Sequence, residues 1–258
     1  MIFETHSHYD DESFDEDRAT LLDSMKSKGV GTIINVGASF AGCKASLEYA
    51  ENYDFIFAAI GIHPENTEDF TGDNIEWLQK HITDERVVAV GEIGLDYHWE
   101  KTDEGRKLQH RVFKEQLKLA AKHELPVIVH SREACEDTFE ILEAAANHGV
   151  TGVMHCFSYP KEIARRYVKM GFYVGVGGVV TFKNSKKLKE VVAAVPLDRI
   201  LLETDCPYMA PEPFRGKRND SSMIKYVAEE IAGIREISYE EVVEATEANA
   251  KRLFLNIK

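Results

Sequence analysis

The feature that most constrains the fold is a regular alternation of short apolar runs with longer amphipathic stretches. The predicted strands are residues 2–8, 32–37, 55–64, 87–94, 126–130, 152–157, 172–177 and 200–205. The predicted helices are residues 16–28, 41–52, 74–82, 105–123, 133–148, 160–170 and 186–194, with two more within 221–254. The strands are continuously apolar, which is typical of parallel strands that are covered on both faces.

Eight such units within 258 residues predict an α/β fold, the (β/α)8 TIM barrel, with an eight-stranded parallel barrel and outer helices. We expect one domain over residues 1–258, because no linker or low-complexity segment interrupts the alternation of strands and helices. An open, doubly wound sheet is the structural alternative.

Charge and composition limit the class of function. The net charge of -13 argues against a broad nucleic-acid surface, although it leaves room for a local basic patch. No apolar run approaches about 18 residues and no signal-peptide pattern is visible, so we expect no membrane span. The four cysteines are far apart and form no Cys-x-x-Cys pair, which indicates reduced thiols in a cytoplasmic protein.

Ionisable side chains recur where the predicted strands end. The six candidate metal ligands are His6, His8, Glu92, His130, His155 and Asp205. In a barrel these strand ends share one face, where the chemistry of such folds is found. One such residue alone is more often a hydrogen-bonded loop residue, but six in matched positions indicate a metal centre.

The ligand types narrow the choice of metal. Imidazole with carboxylate suits Zn²⁺, Mn²⁺ or Fe, while Mg²⁺ prefers oxygen ligands. Six ligands exceed what one catalytic ion takes, so we predict two divalent ions that share a bridging carboxylate. Alternation along a strand predicts that Cys156 and Cys206 point away from the site and are small buried hydrophobes. Glu4, on the same face as His6, is expected to orient a ligand histidine.

Seven motifs in chain order resemble the TatD family of metal-dependent hydrolases and deoxyribonucleases, within the amidohydrolase-like superfamily. They are ETHSHYD at 4–10, GIHP at 61–64, GEIGLDY at 91–97, PVIVHSR at 126–132, HCFS at 155–158, LETDCPY at 202–208 and RGKRN at 215–219. The resemblance covers essentially the whole chain.

The resemblance implies a TIM barrel, a divalent-metal site and hydrolysis of phosphodiester bonds in DNA, often from a 3′ end. By the same resemblance His6 and His8 would hold one ion with Asp205. His130 and His155 would hold the other, and Glu92 would bridge the two.

The mechanism we expect is metal-assisted hydrolysis, in which the ions polarise the phosphoryl oxygen and lower the pKa of a bound water. Asp205 would bind an ion and take the proton of the water as general base. His63 would bind the scissile phosphate or protonate the leaving oxygen, with stabilisation of the turn before Pro64 as an open alternative.

Substrate binding is predicted in the loops after the strands. The candidate residues are Arg132, Arg215, Lys217, Arg218 and Asn219. A tight basic turn directly after a ligand strand is well placed to contact phosphate. Tyr97, Tyr159 and Phe214 are candidates for stacking on bases, with packing at the core or rim as the open alternative.

Two alternatives remain at this stage. One is a metal-dependent amidohydrolase or esterase that acts on a small molecule or an aminoacyl-tRNA, since fold does not settle function. The other is an inactive homologue that binds metal or a partner. We expect single-stranded DNA or its 3′ ends as the substrate and no obligate protein partner.

Overall fold

The computed structural model describes residues 1–254, and within them strands and helices alternate along the chain. The strands are β1 (Ile2–Ser7), β2 (Val30–Val36), β3 (Ile56–Ile60), β4 (Val87–Asp96), β5 (Val127–Arg132), β6 (Gly152–Met154), β7 (Tyr173–Val176) and β8 (Ile200–Leu202). The helices are α1 (Arg18–Ser24), α2 (Phe40–Asn52), α3 (Gly72–His81), α4 (Asp103–His123), α5 (Cys135–Ala146), α6 (Lys161–Lys169), α7 (Lys186–Ala194), α8 (Ile224–Arg235) and α9 (Tyr239–Leu253).

The strands form one eight-stranded sheet in the order β1 to β8. The sheet returns to its start because Ser7 and Cys206 form a parallel bridge beside β1 and β8. The predicted (β/α)8 barrel is therefore confirmed, and the open doubly wound sheet is not the fold. None of the helices within residues 1–254 is long and apolar enough to cross a membrane.

The described residues pack into two compact units. The first contains Met1–Asn35 and Cys156–Arg252. In it β1 pairs in parallel with β2, and β7 pairs in parallel with β8. Every residue of β1 is buried, as expected for a strand that is covered on both faces.

The second unit contains Val36–His155 together with Leu253 and Phe254. Its strands β3 to β6 pair in parallel, and all ten residues of β4 are buried. In the β4–β5 register Gly94 lies opposite His130 and Asp96 lies opposite Arg132. This register determines which side chains meet where the two strands end.

Local sequence explains where the helices of the second unit begin. The side chains of Ser39, Thr71 and Thr102 each accept the backbone N–H of the residue three positions on, and so cap α2, α3 and α4. The predicted helices match these elements to within a few residues.

The strand predicted over residues 55–64 ends at Ile60 and continues as a loop, and two further predicted strands are too long. The strand predicted over residues 200–205 ends at Leu202, and the strand predicted over 152–157 ends at Met154. Just beyond these ends Asp205 and Cys156 have positive φ angles of 59° and 44°. Backbone in this left-handed region cannot continue a strand, so the chain turns there.

Candidate active site

The first ligand group lies in the first unit, at the end of β1. Because strand side chains alternate, His6 and His8 lie on the same face, and their Nε2 atoms are 3.0 Å apart. Oδ1 of Asp205 is 3.8 Å from Nε2 of His6 and 3.5 Å from Nε2 of His8. The structure therefore brings Asp205 next to two histidines from which it is far apart in the sequence.

This group has the donor set and spacing of a metal site. Its three ligand atoms all lie within 4.8 Å of one another. Two nitrogens that bind one Zn²⁺ at about 2.0–2.1 Å in tetrahedral geometry lie roughly 3.3 Å apart, close to the observed His6–His8 separation. The residues present thus fit a divalent ion.

Backbone contacts fix the position of Asp205. Its N–H donates to the carbonyl oxygen of His6 at 3.0 Å, and its own carbonyl accepts the N–H of Tyr208 at 2.8 Å. With its left-handed φ, this residue is held in a conformation that non-glycine residues adopt at a cost of about 1–3 kcal/mol. Such conformations cluster at functional positions, which agrees with the role predicted for Asp205.

Glu4 lies one step deeper on β1 and is fully buried. Its Oε1 accepts the backbone N–H groups of His6 and Thr204, at 3.1 and 2.9 Å. Burial outweighs these hydrogen bonds and raises the pKa of the Glu4 carboxyl to about 8. Glu4 therefore supports the backbone on which His6 is carried.

Glu203 is a further buried carboxylate in the first unit. Its Oε1 accepts the N–H of Cys156 at 2.7 Å. Glycine at position 175 makes room for it, because a Cβ there would lie 2.3 Å from Oε2 of Glu203. Glu203 thus fixes the turn that follows His155.

The second ligand group lies in the second unit and consists of His63, Glu92 and His130, whose ligand atoms are again within 4.8 Å of one another. Oε1 of Glu92 is 3.0 Å from Nδ1 of His130 and 3.6 Å from Nε2 of His63. Nε2 of His155 lies 3.8 Å from the same oxygen. Three histidines therefore surround one buried carboxylate.

Asp96, which is not among the six candidate ligands, contacts this group. Its Oδ2 bonds Nε2 of His130 at 2.9 Å. Burial disfavours the imidazolium, but hydrogen bonds to Asp96 and Glu92 outweigh it and raise the pKa of His130 to about 9. Burial also opposes ionisation of the Asp96 carboxyl. Hydrogen bonds from His130 and from the backbone N–H of Trp99 outweigh this effect and lower the pKa of Asp96 to about 2. The sequence feature that could have identified Asp96 is its position four residues after Glu92, which places both carboxylates on one face of β4.

The structure shows the turn contact of His63 and which of its nitrogens faces the ligand group. Its Nδ1 accepts the N–H of Glu65 at 3.2 Å and caps the 3₁₀ helix Pro64–Asp69. Its other nitrogen is the one that faces Glu92. His63 therefore stabilises the turn and presents Nε2 to the ligand group.

The residues of the basic turn after β8 differ in their burial and in their contacts. The side chains of Arg215, Lys217 and Arg218 are exposed. Arg218 forms a two-pronged ion pair with Asp17, at 2.8 and 2.6 Å, and also donates to the carbonyl of Ser13.

Asn219, by contrast, is fully buried. Its Nδ2 donates to the carbonyls of Thr204 and Tyr208, at 3.0 and 2.7 Å. Its side chain is therefore committed to holding the segment that contains Asp205.

The interpretation of the cysteines needs one correction. Cys206 is buried as expected, whereas Cys156 is only half-buried. The expectation for Cys156 assumed that strand alternation continues beyond His155, but β6 ends at Met154 and the chain turns at Cys156. The alternation of side chains along a strand does not extend to a residue in that turn.

Comparison with known proteins finds relatives over almost the whole chain. A family model described as TatD related DNase matches residues 3–255. The uncharacterized metal-dependent hydrolase YabD of Bacillus subtilis (strain 168) is 46% identical over 254 residues, which cover 98% of this chain and 99% of YabD.

Solved structures show the same fold. The crystal structure of YjjV, a TatD homolog from Escherichia coli K12, superposes with a TM-score of 0.91 at 34% identity and covers 98% of each chain. A TatD family hydrolase from Entamoeba histolytica, at 23% identity, has a TM-score of 0.87 over 99% of each chain and supports the fold alone. Because the family model matches almost the whole chain and a full-length relative is 46% identical, the chain belongs to the TatD family of metal-dependent hydrolases.

Proposed function

We propose that the protein is a deoxyribonuclease, a divalent-metal-dependent hydrolase of phosphodiester bonds that acts on single-stranded DNA from the 3′ end. The observation that supports this most directly is the pair of histidine–carboxylate groups at the strand ends. The match to a family model described as TatD related DNase supports phosphodiesters as the class of bond that is hydrolysed.

In this proposal one divalent ion would be held by His6, His8 and Asp205 and a second by His130 and His155, and Glu92 would be a ligand that they share. Zn²⁺, Mn²⁺ and Fe suit the mixed donor set, and Mg²⁺ suits its carboxylates. When bound, the ions supply positive charge that polarises the phosphoryl oxygen and favours ionisation of the attacking water.

Asp205 acts as the general base in this proposal. A base must lie within hydrogen-bond reach of the proton that it takes, so its side chain needs a fixed position. The bond from the Asp205 N–H to His6 and the bond from Tyr208 to its carbonyl supply that fixation.

His63 is the proposed acid for the leaving oxygen. Because Nδ1 accepts a hydrogen bond from the Glu65 N–H, the neutral ring carries its proton on Nε2. That nitrogen faces the ligand group and can donate to an oxygen that develops negative charge there.

Exposed cations in the strand-end loops are the proposed phosphate contacts. Arg132 is the last residue of β5, while Arg215 and Lys217 follow β8. The contacts of Arg218 and Asn219 described above support the backbone of the loop, and we propose that they contribute to binding by holding it. Four free cysteines favour a cytoplasmic location.

A substrate panel tests the proposal. Purified protein is assayed on end-labelled single-stranded DNA, RNA, aminoacyl-tRNA and cyclic amides, each with Mg²⁺, Mn²⁺ and Zn²⁺. We expect stepwise shortening of DNA from the 3′ end, lost with chelator and in a His6→Ala/His8→Ala variant. Turnover of only the esters or amides would replace the proposal with the amidohydrolase alternative, and no turnover of any substrate would indicate an inactive homologue.

A further inference from the structure

We infer that Trp99, with Arg132 beside it, forms a stacking platform for one base of single-stranded DNA, an inference that rests on the proposed deoxyribonuclease function. Trp99 is 64% exposed and follows β4 by three residues. Scattered exposed apolar residues need no explanation. The contacts around this indole are what single it out.

The segment that carries Trp99 is tied down at several points. Oδ1 of Asp96 accepts the N–H groups of His98 and Trp99, at 2.8 and 2.9 Å. The N–H of Tyr97 donates to the carbonyl of Arg132 at 2.9 Å, and the His98 ring bonds Glu133 at 2.7 Å. The indole is therefore presented to solvent from an ordered loop, and binding a flat ligand would cost little additional ordering.

The surroundings of the indole suit a nucleotide. The guanidinium carbon of Arg132 lies 5.7 Å from the centre of the Trp99 ring, and the His98 ring lies edge-on at 4.8 Å. Among residues 1–254 no carboxylate lies within ion-pair distance of Arg132. A cation beside an exposed aromatic face offers one contact for a phosphate and another for a base.

The platform is joined to the ligand group by one carboxyl group. Asp96 bonds the Trp99 N–H through Oδ1 and His130 through Oδ2. Arg132 lies two residues beyond His130 on β5, on the same face of the strand. A base on Trp99 would therefore belong to a nucleotide close to the scissile bond.

Of the three aromatic candidates from the sequence, two are committed elsewhere. The Tyr97 hydroxyl bonds His110 and Asp137, both at 2.5 Å. Phe214 packs on Tyr226 at a centroid distance of 5.4 Å. Their contacts favour packing. The third candidate, Tyr159, is half-buried with its ring edge-on to Phe157 at 5.9 Å, so Trp99 offers a more exposed aromatic ring.

Fluorescence of Trp99 provides the test. The chain has two tryptophans, so Trp77→Phe leaves Trp99 as the single reporter. Metal-loaded protein is titrated with a phosphorothioate oligothymidylate, which is hydrolysed slowly, and with an abasic oligonucleotide of the same length and charge. We expect saturable quenching by the first and little quenching by the second.

Substitutions then separate stacking from a structural effect. Trp99→Ala should raise the Kd for oligothymidylate by about 5- to 150-fold, the usual worth of one stacked base, and leave the Kd for the abasic strand unchanged. Trp99→Phe should restore part of the loss. An equal loss for both strands, or no loss for either, would overturn the platform.

Hydrolysis of unmodified DNA, measured in parallel, distinguishes the two proposals. Hydrolysis without any base-dependent effect of Trp99 overturns the platform and retains the deoxyribonuclease. Base-dependent quenching without hydrolysis supports the platform and contradicts the deoxyribonuclease. Absence of both overturns both.

Discussion

Asp96 and His130 are joined by a hydrogen bond of 2.9 Å between Oδ2 and Nε2, at the ends of neighbouring strands that pair in register. The other nitrogen of the same imidazole bonds Glu92 at 3.0 Å. The ring is thus held between two carboxylates, of which one belongs to the proposed ligand set and the other orients the ring. A carboxylate that bonds a ligand histidine without binding the metal itself fixes the orientation of the ring and raises its basicity.

Replacement of Asp96 by Asn should weaken metal binding without unfolding the protein. Asn retains an oxygen for the N–H groups of His98 and Trp99 but loses the negative charge beside His130. We expect roughly a 10- to 100-fold loss of metal affinity, measured by competition with a chelator. The exposed Asp23→Asn serves as the matched control, and unchanged affinity in Asp96→Asn would restrict Asp96 to holding the loop.

Asn219→Ala should reduce stability. The substitution leaves the carbonyls of Thr204 and Tyr208 without the donors that they have in the native protein. An unsatisfied buried polar group costs about 1–3 kcal/mol, and we expect a loss in that range by urea unfolding. Asn52→Ala, at an exposed position, should change stability by less than about 0.5 kcal/mol. Equal stabilities for the two variants would contradict the structural role of Asn219.

Arg215→Ala combined with Lys217→Ala should weaken binding of oligonucleotides and flatten its dependence on salt. Each lost phosphate contact reduces the slope of log Kd against log salt by about 1. Arg218→Ala is the comparison, because Arg218 already pairs with Asp17. It should lower the melting temperature and change the salt slope less. An unchanged slope in the double variant would remove Arg215 and Lys217 from the substrate site.

Much of the fold, and the position of several candidate ligands at the strand ends, could be predicted because both depend on periodic patterns. Eight apolar runs gave the eight strands, and residues such as His6 and His8 lie at the end of a strand, where alternation determines their face. The pattern also placed Glu92 on β4 and His130 on β5, which the structure brings to 3.0 Å.

The features that sequence reasoning missed depend on single backbone angles and on long-range pairs. The left-handed φ at Cys156 is not encoded by any local pattern, so the expected burial of its thiol was wrong. The pairing of Arg218 with Asp17 joins residues 201 positions apart, and no alternation rule links them. Asp96 was overlooked because its importance derives from a partner on the neighbouring strand.

Glu92→Gln should affect both metal content and substrate binding. Three histidine nitrogens lie within 3.8 Å of Glu92 Oε1, so this carboxylate is the shared negative charge of the second ligand group. Gln keeps the size of the side chain but removes that charge. We expect at least one ion to be lost, measured by elemental analysis of protein purified without chelator, and weaker binding of oligonucleotides. Full metal content in this variant would contradict a bridging role for Glu92.

Asp205→Asn should separate metal binding from proton transfer. Asn keeps the shape and one acceptor oxygen but cannot take a proton, so the variant should retain metal and bind oligonucleotides with near-normal affinity. Its kcat should fall by at least about 10²- to 10⁴-fold, the usual worth of general base catalysis. Comparison with Glu92→Gln makes the result specific, since that variant should lose metal as well as turnover. If Asp205→Asn retains near-normal kcat at saturating metal, Asp205 is only a ligand. The base must then be sought at Glu203 or His63, two further ionisable groups that lie beside candidate ligands.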